Sequence, residues 1–143
     1  MNKPVIIDSS AFISLGAITD SNFEKASTIS KQIEKDDRTI VMPSEVFTEI
    51  VNVVGKKVGH DAAIKQGSKI LLSGTITIVE TTPDIRRNAF FKFQKQPKSV
   101  SFTDCFVMAF ADEFETKEIF GFDEAFRKNG YTRVGIDRAQ AVS

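Results

Sequence analysis

Apolar residues fall along this chain in two rhythms. Short runs rich in β-branched residues recur at Val5-Ile6-Ile7, Thr39-Ile40-Val41-Met42, Thr75-Ile76-Thr77-Ile78-Val79 and Glu118-Ile119-Phe120. Runs of this kind predict strands, and the first two are apolar enough to be buried on both faces. Between them apolar residues return every three or four positions, the period of a helix with one buried face. A short helix is expected from Ala11 to Ala17. Phe23, Ala26, Ile29 or Ser30, and Ile33 predict the next, reaching about Lys35, with Thr19 or Asp20 as its cap. Val46, Ile50, Val53 and Val54 make the stripe of a helix opening at Pro43-Ser44 and broken by Gly55 to Gly59. Asp61 would cap a further helix to about Leu72, with Ala62, Ala63, Ile64, Ile70 and Leu71 as candidates for burial.

Turn chemistry punctuates the second half. Thr82-Pro83-Asp84 joins a hydroxyl cap, a first-position proline and a first-turn acid, a strong helix start. That helix should run to about Lys95, with Phe90 and Phe93 inward and Arg86, Arg87, Lys92 and Lys95 toward solvent. Ser101-Phe102-Thr103-Asp104 starts the next, with Phe106, Val107, Phe110 and Phe114 on its apolar face. Gly121-Phe122-Asp123 turns into a small helix at Glu124 that Asn129-Gly130 closes. Tyr131 to Ile136 is expected as a last edge strand. Strands alternate with helices, and no repeat or linker interrupts the 143 residues. The expected fold is α/β: three layers, one domain over residues 1–143, a central mostly parallel sheet of four or five strands covered on both sides.

Composition narrows the chemistry. Lys+Arg and Asp+Glu are both 19, so no global charge pulls the chain toward nucleic acid or membrane. One cysteine allows no internal disulfide, and His60 with Cys105 does not make a usual zinc site. The N-terminal apolar run is too short for a secretory signal, and no segment approaches the ~18 apolar residues of a membrane span. A cytoplasmic protein with no membrane contact is the expectation.

Acids, by contrast, sit where a parallel sheet would gather them. Asp8 follows the first strand, Glu45 and Glu49 follow the second, and Asp123 follows the fourth. Asp104 lies in the first turn of the helix before that fourth strand. Ligand crevices of such sheets lie beyond the carboxyl ends of the strands. Each acid also has a purely structural reading. Asp8 and Asp123 suit helix caps, Asp104 a capping box with Ser101, and Glu45 a first-turn acid favoured by the helix dipole. Glu49 is harder to explain so, because it lies a full turn into its helix among buried positions. Carboxylates sharing one crevice repel unless neutralised, and Mg²⁺ or Mn²⁺ is the cation that oxygen ligands suit. Such an ion activates water for displacement at phosphorus without histidine or cysteine.

Four short motifs, in order, resemble a known family. Ile6-Ile7-Asp8-Ser9-Ser10-Ala11, Pro43 through Glu49-Ile50-Val51-Asn52, Ser101-Phe102-Thr103-Asp104-Cys105 and Phe120-Gly121-Phe122-Asp123-Glu124-Ala125-Phe126 together resemble the PIN domain, most closely the stand-alone VapC-type toxin ribonucleases. The resemblance selects Glu49 over Glu45. It implies a metal-dependent endoribonuclease in which Asp8, Glu49, Asp104 and Asp123 hold Mg²⁺ or Mn²⁺, with Ser9, Asn52, Ser101 and Glu45 as candidate supporting residues around them. It implies an RNA substrate, an antitoxin protein as partner and a homodimer. Gly121 departs from the family's usual Thr or Ser, which weakens the transfer of Asp123 most.

Between Ile85 and Thr103 the chain carries Arg86, Arg87, Lys92, Lys95 and Lys98 and no acid. These are candidates to track a phosphate backbone, or simply a solvated face. Two other readings remain: a PIN nuclease of ribosomal-RNA maturation, and a scaffold that binds RNA or protein without cleaving. A receiver-type signalling domain would want clustered acids directly after the first strand and a Lys after the last, and neither is present.

Overall fold

The computed structural model describes residues 3–16 and 21–137, the side chain of residue 15 excepted. The ends of the chain and the expected cap at Thr19 or Asp20, like the end of the first helix at Ala17, lie outside the described residues. Strands β1 (Val5–Ile7), β2 (Ile40–Pro43), β3 (Ile76–Val79), β4 (Glu118–Phe120) and β5 (Thr132–Arg133) alternate with helices α1 (Ser9–Leu15), α2 (Phe23–Lys35), α3 (Ser44–Lys57), α4 (His60–Leu71), α5 (Pro83–Gln94), α6 (Phe102–Glu113) and α7 (Glu124–Lys128).

One five-stranded sheet forms in the order β3-β2-β1-β4-β5, and every pairing is parallel. The central strand is the most apolar one. Val5, Ile6 and Ile7 are at most 1% exposed, which an uninterrupted β-branched run permits because both of its faces are covered. The edge strand β3 keeps its Thr-Ile alternation and is only half-buried. Helix α6 lies across β1, β2 and β4 on one face. Seven consecutive residues of α6, Cys105 to Ala111, are buried. On the other face Ile7, Ile40, Ile76 and Phe120 look across a cavity of about 310 Å³ toward Phe12, Ser30 and Gln66. No helix among the described residues is long and apolar enough to cross a membrane.

Several local expectations need correction. Gly55 does not break α3, which continues to Lys57. It faces Ala63 of α4, where a Cβ would sit at an ordinary contact distance of 3.6 Å. His60 opens α4 instead of sitting in a turn. On α4, Ala63, Gly67 and Ile70 are buried, while Ile64 and Leu71 point outward. On α5 the inward residues are Ile85 and Ala89, and Phe90 and Phe93 are exposed. Val53 is only half-buried, leaving Val46, Ile50 and Val54 as the stripe of α3.

The strand order fixes where a site can lie. The chain proceeds outward from β1 to β2 and β3, then returns to the opposite side of β1 for β4 and β5. The crevice beyond the ends of β1 and β4 is therefore the topological switch point. Phe110 is fully buried in α6, and Leu72 is 85% exposed. Phe110→Ala is expected to cost about 3–5 kcal/mol in urea unfolding, against at most about 0.5 kcal/mol for Leu72→Ala. Similar losses from both would refute this placement of the core.

Candidate active site

Asp8 is carried to the switch point by the buried β1, and its backbone N–H donates to the Phe120 carbonyl at the end of β4 at 3.0 Å. It holds the cap position of α1 but makes no side-chain cap bond, so the structural reading of this acid does not hold. Its Oδ2 accepts from the Ser10 hydroxyl at 2.7 Å. Its Oδ1 is buried with no hydrogen-bond partner, and the whole residue is only 4% exposed. A buried, unsatisfied carboxylate oxygen is costly.

Three more acids surround it. Glu49, half-buried on α3, hydrogen-bonds the Ser9 hydroxyl. Asp104 is the third residue of α6 and completes a reciprocal capping box: Ser101 N–H donates to Asp104 Oδ2 and Asp104 N–H to Ser101 Oγ, each at 3.1 Å. Asp123 Oδ1 accepts from the Ala125 N–H at 2.9 Å and starts α7. The cap readings of Asp104 and Asp123 are therefore correct, and both acids still face the crevice.

Their mutual fields show it. Burial, followed by the nearby charges of Asp104 and Glu49, raises the Asp8 carboxyl to about 7, although the Ser10 hydroxyl opposes the rise. Burial and the charge of Asp104 push Glu49 upward against the Ser9 bond. Burial also raises Asp104, against its Ser101 bonds, with Asp123 adding to the rise. The four acids thus form one repelling group. Among the described residues no three His, Cys, Asp or Glu side chains already close into a metal-holding group. The unsatisfied Asp8 Oδ1 and an all-oxygen donor set fit a hard divalent cation.

A family model described as PIN domain matches residues 5–130. The chain belongs to the PIN domain family. The fold is similar to the crystal structure of Mycobacterium tuberculosis VapC20, described as a sarcin-ricin loop cleaving toxin, with a TM-score of 0.78 and 20% identity over 91% of this chain and 98% of that one. A search of curated proteins finds no match.

The other expected residues of this PIN site scatter. Glu45 turns toward the end of β3, where the Thr81 hydroxyl donates to its carboxylate at 2.6 Å and Ser44 adds a bond at 3.3 Å. Glu49 and not Glu45 therefore stands with Asp8. Asn52 is exposed in the groove between α3 and α4. Lys92 is not a free surface cation: its ammonium pairs with Asp112 at 2.8 Å and lies over the Tyr131 ring. Arg87 pairs with Asp84 on an exposed turn, while Arg86 and Lys98 stand exposed. Lys95 lines a recess of about 270 Å³ together with Asp123 and Lys128, which puts cations beside the acids.

Sequence reasoning missed two supports. Ser10, two residues after Asp8, orients that carboxylate. Arg133 donates to the Phe122 carbonyl at 2.9 Å and pairs with Asp137 at 2.8 Å, holding the segment that carries Asp123. Nothing in the sequence around Arg133 signals this. Gly121 has a steric reason: a Cβ there would stand 2.9 Å from Phe126 Cε2 and 3.0 Å from Asp8 Cβ. The space a Thr or Ser would need is occupied by that ring and by the Asp8 side chain.

Two outcomes follow from this packing and charge. Gly121→Ser is expected to cost about 1–3 kcal/mol in chemical unfolding through overpacking; an unchanged midpoint would contradict the crowding. Because Asp8 binds its proton more tightly folded than unfolded, its contribution to stability is complete below the ordinary carboxylate range and fades as pH rises through about 7. Metal-free protein should therefore lose stability as pH rises from about 4 to about 7, by up to about 4 kcal/mol. Asp8→Asn should flatten that profile, and a stability that rises over this range in the metal-free wild type would contradict it.

Proposed function

We propose that this PIN protein is a Mg²⁺- or Mn²⁺-dependent endoribonuclease, acting as the toxin of a toxin–antitoxin pair. The observation that carries the reading is the buried Asp8 carboxylate with an unsatisfied Oδ1, beside the charges of Glu49 and Asp104, with Asp123 next to Asp104. A fold does not fix an activity, but this donor set at the switch point has the chemistry that phosphodiester hydrolysis requires.

Asp8, Glu49, Asp104 and Asp123 would hold the cation. When bound, it supplies an activated water and neutralises charge developing at phosphorus. The chain's own residues prepare that arrangement. Ser10 donates to Asp8 Oδ2 and leaves Oδ1 without a partner. Ser9 aligns Glu49, and the capping box holds Asp104 by one oxygen. Lys95 and Lys128 offer charge to a phosphate backbone passing Asp123. An antitoxin segment and a second copy of the chain are the protein partners this reading expects.

VapC20 is described as a toxin that cleaves the sarcin-ricin loop, so a ribosomal stem-loop is the first substrate to try. Wild-type protein is expected to cleave it only with Mn²⁺ or Mg²⁺. Asp8→Asn and Glu49→Gln should each lose more than the ~10–100-fold that supporting residues of a metal ligand are worth, while Glu45→Gln should stay within about threefold of wild type. Cleavage retained by Asp8→Asn would sink the mechanism. Metal-bound protein that binds RNA and cuts none would favour the scaffold reading.

A further inference from the structure

Large apolar side chains stand exposed in two places, and the two differ in chemistry. Val58, Ile64, Leu71 and Leu72 form an aliphatic patch along α4 and the turn before it. The second patch is aromatic. Phe90 and Phe93 of α5 and Phe102 at the first position of α6 are 52%, 39% and 37% exposed. Their rings touch. Phe102 meets Phe90 edge-on at 6.1 Å between centroids and Phe93 at 5.3 Å. Beneath them Phe106, only 6% exposed, packs on Phe102 at 4.6 Å and anchors the cluster.

Charge separates this patch from an ordinary greasy surface. The segment from Ile85 to Thr103 contains no acid, and its exposed cations include Arg86, Lys95 and Lys98. Lys95 already lies 4.0 Å from the centroid of the exposed Phe91 ring, a cation–π contact, and it also lines the recess beside Asp123. Phe102 shares the first turn of α6 with Asp104, on the far side of the same helix end. The aromatic cluster therefore lies about one helix diameter (~10 Å) from the carboxylates, a span of about two nucleotides. Flat π-faces next to cations, without acids, select a ligand that is itself planar and polyanionic.

We propose that Phe90, Phe93 and Phe102 form a stacking platform for unpaired bases of the substrate RNA, a short distance from the bond to be cut. This rests on the ribonuclease reading and adds how the RNA is held: by base faces rather than by base edges. Stacking tolerates every base, so the platform selects unpaired structure more than sequence. Duplex RNA keeps its bases stacked on one another and offers the rings nothing.

The test uses full-length protein with Ca²⁺ in place of Mn²⁺, and two fluorescent ribo-oligomers of equal length and charge, one with bases and one abasic. Phe90→Ala/Phe93→Ala is expected to weaken binding of the base-bearing oligomer about tenfold or more and to leave the abasic one unchanged. Phe90→Trp/Phe93→Trp should restore the affinity, which separates stacking from simple loss of fold. Equal weakening for both oligomers, or none, overturns the proposal. So does a shift from dimer to monomer in the alanine variant with RNA binding intact, which would make the patch a protein interface. Mn²⁺-dependent hydrolysis of bis(p-nitrophenyl) phosphate by the wild type reads the nuclease chemistry separately. Its absence in the wild type would count against the nuclease reading, while the binding comparison still decides the platform.

Discussion

Negative charge held out of water is the constraint on which this structure turns. Four carboxylates reach one edge of a parallel sheet, and the central one is buried with an oxygen left unsatisfied. In a protein of this size such a group is a standing destabilisation, because neither hydrogen bonds nor solvent offset it fully. The surrounding structure limits that cost without removing it. Ser10 supplies one hydrogen bond to Asp8 and Ser9 one to Glu49. The Asp104 and Asp123 carboxylates accept backbone N–H groups at helix starts, where negative charge is favoured. A divalent cation would offset the rest.

The architecture delivers those acids by a simple route. A β-branched run buried on both faces becomes the central strand, and the residue ending it must emerge at the crevice. Strand order 3-2-1-4-5 then brings β2 and β4 to either side of it. The helices after β2 and before β4 both begin at that edge, so Glu49 in the second turn of the one and Asp104 in the first turn of the other come near Asp8. Helix α6, buried from Cys105 to Ala111, acts as the post for Asp104. Crowding around Gly121 couples the end of β4 to Asp8 and Phe126, so backbone geometry there is set by contact rather than by a hydroxyl. This places the departure from the family's usual residue in packing, and leaves Asp123 still facing the cluster.

Much of this was legible in the residues. Strand positions followed from β-branched runs, and the starts at Thr82 and Ser101 followed from cap chemistry; both caps form as expected. The grouping of Asp8, Glu49, Asp104 and Asp123 followed from strand ends plus the family resemblance. Periodicity failed where helices pack on helices rather than on the sheet. In α5 the small Ala89 faces inward, and the large rings of Phe90 and Phe93 point out. A rule that sends phenylalanine inward reverses that face. Gly55 reads as a break, but α3 continues through it to Lys57. Lys92 reads as a surface cation, but Asp112 and Tyr131, from distant parts of the chain, enclose it. Such pairings are tertiary, and no local pattern announces them.

Metal binding that displaces the Asp8 proton tests the central claim most directly. Calorimetric titration with Mn²⁺ near pH 6.5, repeated in buffers of different ionisation heat, counts protons released per ion bound. At that pH, with Asp8 at about 7, its carboxyl is largely protonated in the metal-free protein. The account predicts saturable binding that releases about three-quarters of a proton from Asp8, and loss of both binding and release in Asp8→Asn. Binding of equal strength in wild type and Asp8→Asn, or no binding by the wild type, would contradict it.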